Sequence, residues 1–270
     1  ASPESQFPRL YQVGTDGKTT VEKLAQENAR YMTSVFTPTQ MVHTLNLRQL
    51  NFLMHQFQRF SDENELNSFN DRLATSMAEF NTQAYEAFGV PNLDNQTDRH
   101  LSILGKGLER LTGERGISEH FGENYSTTYP LSFAGLAQGQ RHRTLHYHIV
   151  DGTQQGAPKG YFIPDVIRGN PELTEEWLKD LKNVSVTDLP QGQLLTVAER
   201  GDIEDFRSKA ILRLCGHAQY EIIESTKRTA GKYAQSIPQV SKWSSPKCKQ
   251  GIRCAEPCGW GGNYALDRVV

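Results

Sequence analysis

The chain has 270 residues, of which 37% are hydrophobic and 22% are charged, and its formal net charge is −2. This composition is typical of a globular protein with a substantial core, and the near-neutral charge argues against a general nucleic-acid binder, which needs a basic face. Apolar runs stay short of the ~20 residues of a membrane span. The first residues lack the apolar segment of a signal peptide, so we expect a cytoplasmic protein without membrane or nucleic-acid partners.

The first ninety residues are expected to be helical. Thr19-Thr-Val-Glu22 has the spacing of a capping box and predicts a helix that runs to about Met32. Apolar residues at helical intervals predict two longer helices, over about 39–60 and 64–88. A turn rich in Gly, Pro and Asn follows them and predicts a domain boundary near residue 92.

The middle of the chain is expected to hold the strands. Segments 125–137 and 144–150 are predicted strands, and the second alternates apolar with polar residues. Helical spacing predicts further helices over about 101–111, 193–200 and 203–232, and one that begins at an N-cap, Asn170-Pro171. Because helices dominate and the predicted strands cluster between about 119 and 163, the pattern predicts an α+β fold, helix-rich overall, with an antiparallel or mixed sheet packed with several helices.

The four cysteines are unevenly placed. Cys215 falls in an apolar helical pattern and is expected to be buried. Cys248, Cys254 and Cys258 crowd a Cys- and Gly-rich tail, 241–270, which is expected to be irregular. Their spacing lacks the paired C-x-x-C unit of common zinc modules. Reduced thiols are therefore favoured, while a metal site and a disulfide stay open as alternatives.

The most informative segment is Gln138-Gly-Gln-Arg141-His142-Arg143, which follows an apolar run. Arginine grips phosphate and carboxylate groups through paired hydrogen bonds, so two guanidiniums around an imidazole indicate an anionic ligand. A basic edge beside a core strand would also explain the tripeptide. On the strand that follows, His146 and His148 share one face, as candidate acid/base groups or as ordinary surface residues.

Two parts of the chain share a weak pattern. A helix, a proline, a Thr-x-x-x-Arg and a phenylalanine occur in the same order over about 21–52 and again over about 172–206. Chance similarity between helical patterns explains this as well as a partial duplication does. If the duplication is real, two related helical segments flank a single strand-bearing region.

Several segments together resemble the flavin-dependent thymidylate synthase (ThyX) family. Ser118-Glu119-His120 precedes the Arg-His-Arg at 141–143, and Tyr161-Phe-Ile-Pro164 follows it. The segment 212–222, Leu-Arg-Leu-Cys-Gly-His-Ala-Gln-Tyr-Glu-Ile, is similar to the family's Leu-Arg and Ala-Gln-Trp-Glu-Ile helix, and the cysteine-bearing tail is similar to that of some members. The resemblance covers roughly residues 115–260.

The resemblance also suggests three segments. Residues 93–240 would be the ThyX-like catalytic region that carries the Arg-His-Arg site for FAD, and 241–270 the tail. Residues 1–92 would be a helical partial repeat, because Asn46-Leu-Arg-Gln-Leu-Asn51-Phe is similar to the family's segment before its catalytic arginine.

What the resemblance implies is a ThyX-like homo-oligomer, a tetramer or a dimer of duplicated subunits. It would bind FAD, use NADPH and methylenetetrahydrofolate as cosubstrates, and methylate C5 of a uridine-type nucleotide or nucleoside. Applied to this chain, the resemblance implies that the cofactor is bound by Arg141, His142, Arg143, Asn46, Asn51 and Glu119. It also implies that the substrate is bound by Gln138, Asp151 and Arg213, and that Arg213 is the catalytic residue. A cation beside the uracil carbonyl stabilises the enolate-like charge that builds as C5 becomes nucleophilic.

The chain departs from the family around Asp151. Where the family has Asn-Glu and then a serine and an arginine that cradle the nucleotide phosphate, residues 148–153 read His-Ile-Val-Asp-Gly-Thr, and Val186 replaces a further arginine. A carboxylate ~4 Å from a phosphate is repelled by about 1 kcal/mol even in bulk water. Three alternatives follow. The first is an enzyme whose substrate is dUMP or UMP bound through other groups, or a non-phosphorylated or differently decorated pyrimidine. The second is a flavin-binding pseudo-enzyme or assembly partner without methyl transfer, and the third is a site for another anion or an acidic protein segment.

Overall fold

The structure is a computed structural model, and it describes residues 21–63, 68–89, 124–155, 158–215 and 218–252. The predicted helix over 101–111 and the Ser118-Glu119-His120 segment lie outside the described residues. None of the helices within these ranges is long and apolar enough to cross a membrane.

The N-terminal part is helical, as predicted. Helix α1 (Val21–Ala29) continues as a 3-10 turn (Arg30–Met32), and α2 (Leu47–Glu63) packs along α3 (Ser68–Phe88). The prediction that α2 begins near residue 39 was wrong. The helix begins after Asn46, which forms a reciprocal cap with Gln49. The Oδ1 atom of Asn46 accepts from the amide of Gln49 at 2.9 Å, and the Gln49 side chain accepts from the amide of Asn46 at 3.2 Å.

Three antiparallel strands form one sheet in the order β1-β3-β2. They are β1 (Tyr125–Ser132), β2 (His146–Asp151) and β3 (Leu194–Gly201). The helix predicted over 193–200 was therefore wrong, and so was the prediction that the strands all precede residue 163. Alternate residues of β3, Leu195, Val197 and Glu199, are buried, which is the period of a strand.

The first strand ends earlier than predicted. The chain turns at Ser132 into α4 (Phe133–Gly139), so the strand predicted over 125–137 stops five residues short. The Ser132 hydroxyl explains the turn because it accepts from the amide of Gly135 at 3.0 Å and caps the new helix.

Further helices lie among the described residues from 158 onward. They are α5 (Asp165–Arg168), α6 (Pro171–Thr187), α7 (Ile203–Arg213), α8 (Tyr220–Ser236), α9 (Gln239–Trp243) and a 3-10 turn (Lys247–Gln250). The predicted cap at Asn170 is confirmed, since its side chain accepts from the amides of Glu172 and Leu173. The helix predicted over 203–232 is broken after Arg213, and the tail predicted to be irregular holds the end of α9 and the 3-10 turn.

The core lies between one face of the sheet and helices α7 and α8. The buried apolar residues of this cluster include Tyr125, Tyr129, Leu131, Leu145, Tyr147, Leu195, Val197, Phe206, Ile222 and Ile223. Burying each large side chain contributes about 1.5–3 kcal/mol. The Tyr125 and Phe206 rings stack at 4.6 Å and join β1 to α7. A helix-rich α+β fold with an antiparallel sheet is thus confirmed.

The helical pair α2–α3 joins this body at the start of α3. Arg72 forms an ion pair with Asp188 at 2.5 Å, and the Phe69 ring lies 5.6 Å from that of Phe133. The two segments with a shared sequence pattern differ in structure, because 47–63 is a helix and 194–201 a strand. The three-part division at residues 92 and 240 stays a prediction.

Candidate functional site

The short helix α4 is contacted by a carboxylate at its beginning and by a cation at its end. Glu221 accepts from the amide of Ser132 at 2.7 Å and from the Ser132 hydroxyl at 2.6 Å. At the other end, a terminal nitrogen of Arg213 donates to the backbone carbonyl of Gln138 at 3.3 Å. Both charges have the sign that the helix dipole favours at that end. This arrangement fixes where the loop after α4, which contains Arg141–Arg143, begins.

Arg213 and His142 are in direct contact. The Nε atom of Arg213 donates to Nε2 of His142 at 2.7 Å, although the two residues are 71 positions apart in the sequence. His142 is buried and Arg213 is half-buried at the end of α7. The structure therefore brings together three residues that the sequence singled out: Gln138, His142 and Arg213.

His142 is held neutral in this contact. Burial, then the nearby charges of Arg213 and Lys209, lower the pKa of His142 from its ordinary value of 6.5 to about 4. A neutral imidazole that accepts at Nε2 carries its proton on Nδ1. Burial and the field of Arg141 lower the pKa of Arg213 somewhat. At neutral pH, Arg213 is thus the cation of the pair.

Two arginines and a buried hydrogen-bond acceptor without a partner among the described residues lie beside the Arg213–His142 pair. Arg141 and Arg143 are exposed, and in the part of the chain that the structure describes neither forms an ion pair. The side-chain Oε1 of Gln138 is buried and has no hydrogen-bond partner among the described residues. Buried polar atoms almost always have a partner, so this acceptor suits a donor on a ligand or an ordered water.

Asp151 is engaged within its own loop. Its carboxylate forms an ion pair with Lys159 and accepts from the amide of Gly152 at 2.6 Å, and these contacts lower the pKa of Asp151. Gly152 has a φ of 104°, and a Cβ there would lie 2.6 Å from the carbonyl oxygen of Leu194. Gln193 donates to the carbonyl of Gly152 at 2.7 Å, which holds the loop against β3.

The other predicted cofactor residues lie elsewhere or are not described. Asn46 is exposed and caps α2, and Asn51 is buried on the same helix. Their predicted roles in binding the cofactor stay predictions. Glu119 lies outside the described residues.

The histidines of β2 and the two described cysteines, Cys215 and Cys248, lie apart from the Arg213–His142 contact. His146 and His148 are half-buried on the sheet face away from the core, and burial, then Arg200, lower the pKa of His148. Cys215 is half-buried rather than buried as predicted, because it follows the end of α7, and Cys248 is exposed. Cys254 and Cys258 lie outside the described residues, and within those residues no cluster of His, Cys, Asp and Glu could hold a metal ion.

A cleft of about 350 Å³ opens near the Glu221 end of α4. Its walls include Tyr161, Phe162 and Tyr220, and two exposed arginines, Arg168 and Arg228, also line it. Residues 161–163 of the Tyr161-Phe-Ile-Pro164 segment thus line this cleft. The cleft lies about one length of α4, roughly 10 Å, from the Arg213 end of that helix.

Two buried polar clusters were not predicted. Tyr31 and Ser132 both donate to Glu221, and a buried ion pair joins Glu199 to Lys209. The Ala-Gln-Tyr-Glu sequence marked Glu221 only through family resemblance. For Glu199 and Lys209 the sequence offered no signal, since charged residues are ordinarily exposed.

Two curated proteins, both named flavin-dependent thymidylate synthase, are similar to this chain. The one from Pyrococcus furiosus is 25% identical over 215 residues, which cover 68% of this chain and 82% of that protein. The one from Thermococcus onnurineus is 24% identical over 208 residues, which cover 66% of this chain and 79% of that protein. No family model matches the chain. The chain is therefore distantly similar to flavin-dependent thymidylate synthases.

Proposed function

We propose that the protein is a ThyX-like flavoenzyme that methylates C5 of a uridine-type pyrimidine, with FAD as cofactor and NADPH and methylenetetrahydrofolate as cosubstrates. The observation that carries the proposal is the 2.7 Å contact between Arg213 and His142. It joins the predicted catalytic arginine to the tripeptide predicted to bind flavin. The similarity to two proteins named flavin-dependent thymidylate synthase supports the same class of enzyme.

The residues around the contact suit an anionic, flat cofactor. Exposed Arg141 and Arg143 offer paired donors to phosphate oxygens, and the buried Oε1 of Gln138 offers an acceptor to a ring or ribose donor. A bound flavin would supply the ring that accepts and passes on hydride. This chain would bind it and orient it beside Arg213.

We expect Arg213 to stabilise charge on a bound pyrimidine. Its contacts with His142 and Gln138 use two of the five N–H groups of a guanidinium and fix its plane. The remaining N–H groups can donate to a carbonyl oxygen of the substrate. One such donor to the charge that develops on that oxygen is worth about 10²–10³ in kcat.

The loop at Asp151 favours a substrate without a phosphate in this position. The ion pair with Lys159 leaves the loop with little net charge, and in place of the family's serine and arginine it presents Asp151 and Thr153. We therefore expect a nucleoside, or a pyrimidine whose phosphate is bound by other groups. The working unit is proposed to be a homo-oligomer, which light scattering would test.

The decisive experiment is to look for bound flavin and for NADPH oxidation. The purified protein is expected to be yellow, with the visible absorbance of a flavin, and one uridine-type compound should stimulate NADPH oxidation. Arg141→Ala is expected to empty the protein of flavin, whereas Arg207→Ala, which removes a half-exposed arginine of α7 paired with Glu204, should leave the flavin in place. Uridine and its monophosphate, compared at equal concentration, would test the Asp151 argument.

The alternatives give different results. A flavin-binding relative without methyl transfer would be yellow, but its NADPH oxidation would ignore every pyrimidine, as the altered residues at 151–153 would explain. A protein free of flavin at every stage of purification, and unable to take it up, would instead indicate that the Arg-His-Arg site binds another anion or an acidic protein segment.

A further inference from the structure

The core contains a charged pair that is almost completely enclosed. Glu199 on β3 has 0% of its surface exposed and Lys209 on α7 has 1%, and their charged atoms lie 2.5 Å apart. Tyr125 donates to one carboxylate oxygen at 2.8 Å and Tyr129 donates to the other. Both oxygens of the buried carboxylate therefore have partners.

Stability alone does not account for this pair. Removing two charges from water costs about as much as their attraction returns, and apolar replacements of similar volume are often neutral or stabilising. What an ion pair adds is a fixed geometry, because the 2.5 Å contact tolerates far less displacement than an apolar contact does.

Lys209 contacts residues of all three strands. Its Nζ bonds Glu199 on β3, lies 3.3 Å from the hydroxyl of Tyr129 on β1, and lies 5.5 Å from the ring centre of Tyr147 on β2. The other fully buried residues of α7, Phe206 and Ala210, are apolar. Among the buried residues of α7, Lys209 is thus the one that bonds the sheet through a charged group.

Arg213 is one helical turn beyond Lys209 on the same helix. A slip of one residue along the helix axis moves a side chain by about 1.5 Å. A functional contact tolerates about 0.5 Å, so such a slip would break the 2.7 Å bond from Arg213 to His142. Fixing Lys209 therefore fixes the guanidinium of Arg213.

We propose that Lys209 and Glu199 are positioning residues whose buried ion pair sets the register of α7 on the sheet and so holds Arg213 against His142. The importance of this ion pair for catalysis rests on the function proposed above, whereas its effect on the position of Arg213 does not depend on that function. The Arg213–His142 contact can be observed in the protein without any ligand.

The test replaces the ion pair by a neutral pair and measures order at Arg213. Lys209→Met with Glu199→Gln removes both charges and leaves the amide to bond the hydroxyls of Tyr125 and Tyr129. By NMR, exchange of the Arg213 Nε proton with water is expected to become faster by about tenfold or more, while the melting temperature stays near that of the unaltered protein. The ring nitrogens of His142, labelled with ¹⁵N, should shift as well, but because the charge of Lys209 also acts directly on His142, the exchange rate at Arg213 decides the test.

The matched control makes the same two substitutions, lysine to methionine and glutamate to glutamine, in an ion pair outside the core. Lys227 and Glu224 form a half-exposed ion pair on α8 at 3.1 Å. Lys227→Met with Glu224→Gln should leave both NMR signals unchanged. If the buried neutral pair also leaves Arg213 exchange unchanged in a folded protein, Lys209 is only a structural residue and the proposal is overturned.

A second variant decides the matter if the neutral pair does not fold. Glu199→Asp keeps both charges but shortens the carboxylate by one methylene, which draws Lys209 and α7 toward β3. Faster Arg213 exchange in this variant supports the proposal and unchanged exchange overturns it. Absence of flavin in the unaltered protein would count against the proposed function alone, since none of these signals requires a ligand.

Discussion

Ser132 and Glu221 form a two-point contact across the body of the protein. The backbone amide and the hydroxyl of Ser132 both donate to the carboxylate of Glu221, which also accepts from the hydroxyl of Tyr31 at 3.0 Å. Three segments of the chain, near residues 31, 132 and 221, therefore meet at one buried carboxylate. Burial raises the pKa of Glu221, and the hydrogen bonds from Ser132 partly oppose this.

Removing the Glu221 carboxylate should lower the stability of the fold. Glu221→Ala leaves three buried donors without an acceptor, and we expect the free energy of unfolding to fall by about 3 kcal/mol. Glu221→Gln, which keeps one acceptor oxygen, should lose less. Glu224→Ala, one turn away and half-exposed, is the control and should change stability by less than about 0.5 kcal/mol. Urea unfolding measures all three, and an equal loss in the control would contradict the assignment.

Arg213→Lys should separate flavin binding from turnover. Lysine supplies a charge but cannot donate to both His142 and Gln138 in the plane of a guanidinium. We expect bound flavin to remain, while kcat falls by about 10²–10³. Absorbance spectra and steady-state kinetics give the two readings. Arg207→Lys on the same helix should change neither, and loss of flavin from Arg213→Lys would assign the residue to the cofactor instead.

The depressed pKa of His142 should make the fold sensitive to acid. The pKa is about 4 in the folded protein and 6.5 when the ring is exposed, so between these values the unfolded chain binds more protons. Stability is therefore lost as the pH falls from about 6.5 toward 4. The expected loss is roughly 2 kcal/mol, allowing for partial screening by solvent.

His142→Gln tests this assignment, because glutamine keeps an acceptor for Arg213 and does not titrate. The variant should lose less stability than the unaltered protein between pH 7 and pH 4.5 in denaturant titrations. Parallel pH dependences for the two proteins would show that His142 is not the group responsible.

Gly135 should not tolerate a side chain. A Cβ there would lie 2.7 Å from a methyl carbon of Leu131 and 2.8 Å from a carboxylate oxygen of Glu221. Gly135→Ala is expected to destabilise the protein by about 1–3 kcal/mol, despite the better helix propensity of alanine. Gly231→Ala on α8 has open space around its Cβ and should instead stabilise by about 0.5–1 kcal/mol. Thermal unfolding of both proteins checks the contrast.

Local sequence signals predicted the elements that have a clear alternation of apolar and polar residues or a clear capping motif. The alternation around Tyr147 predicted β2, and the Asn170-Pro171 cap predicted the start of α6. The third strand was missed because Leu194 and Ala198, on its less buried face, are also apolar, so its pattern did not read as an alternation. Strand pairing, rather than local spacing, decides the structure there.

The candidate site could be predicted only in part for a similar reason. The resemblance singled out His142 and Arg213, but no local pattern shows that residues so far apart meet. The buried pair of Glu199 and Lys209 could not be predicted at all, because a charged residue in the core is recognisable only once its partner is known.

The strand order β1-β3-β2 also constrains how the protein can be made. Among the described residues, the first two strands in chain order are not neighbours in the sheet, and each pairs with Leu194–Gly201, which is synthesised later. Until that segment emerges, a nascent chain carries two strands with unpaired edges, which are prone to aggregation. Assembly of this sheet, and with it the meeting of Arg213 and His142, therefore waits until the segment 194–201 has been synthesised.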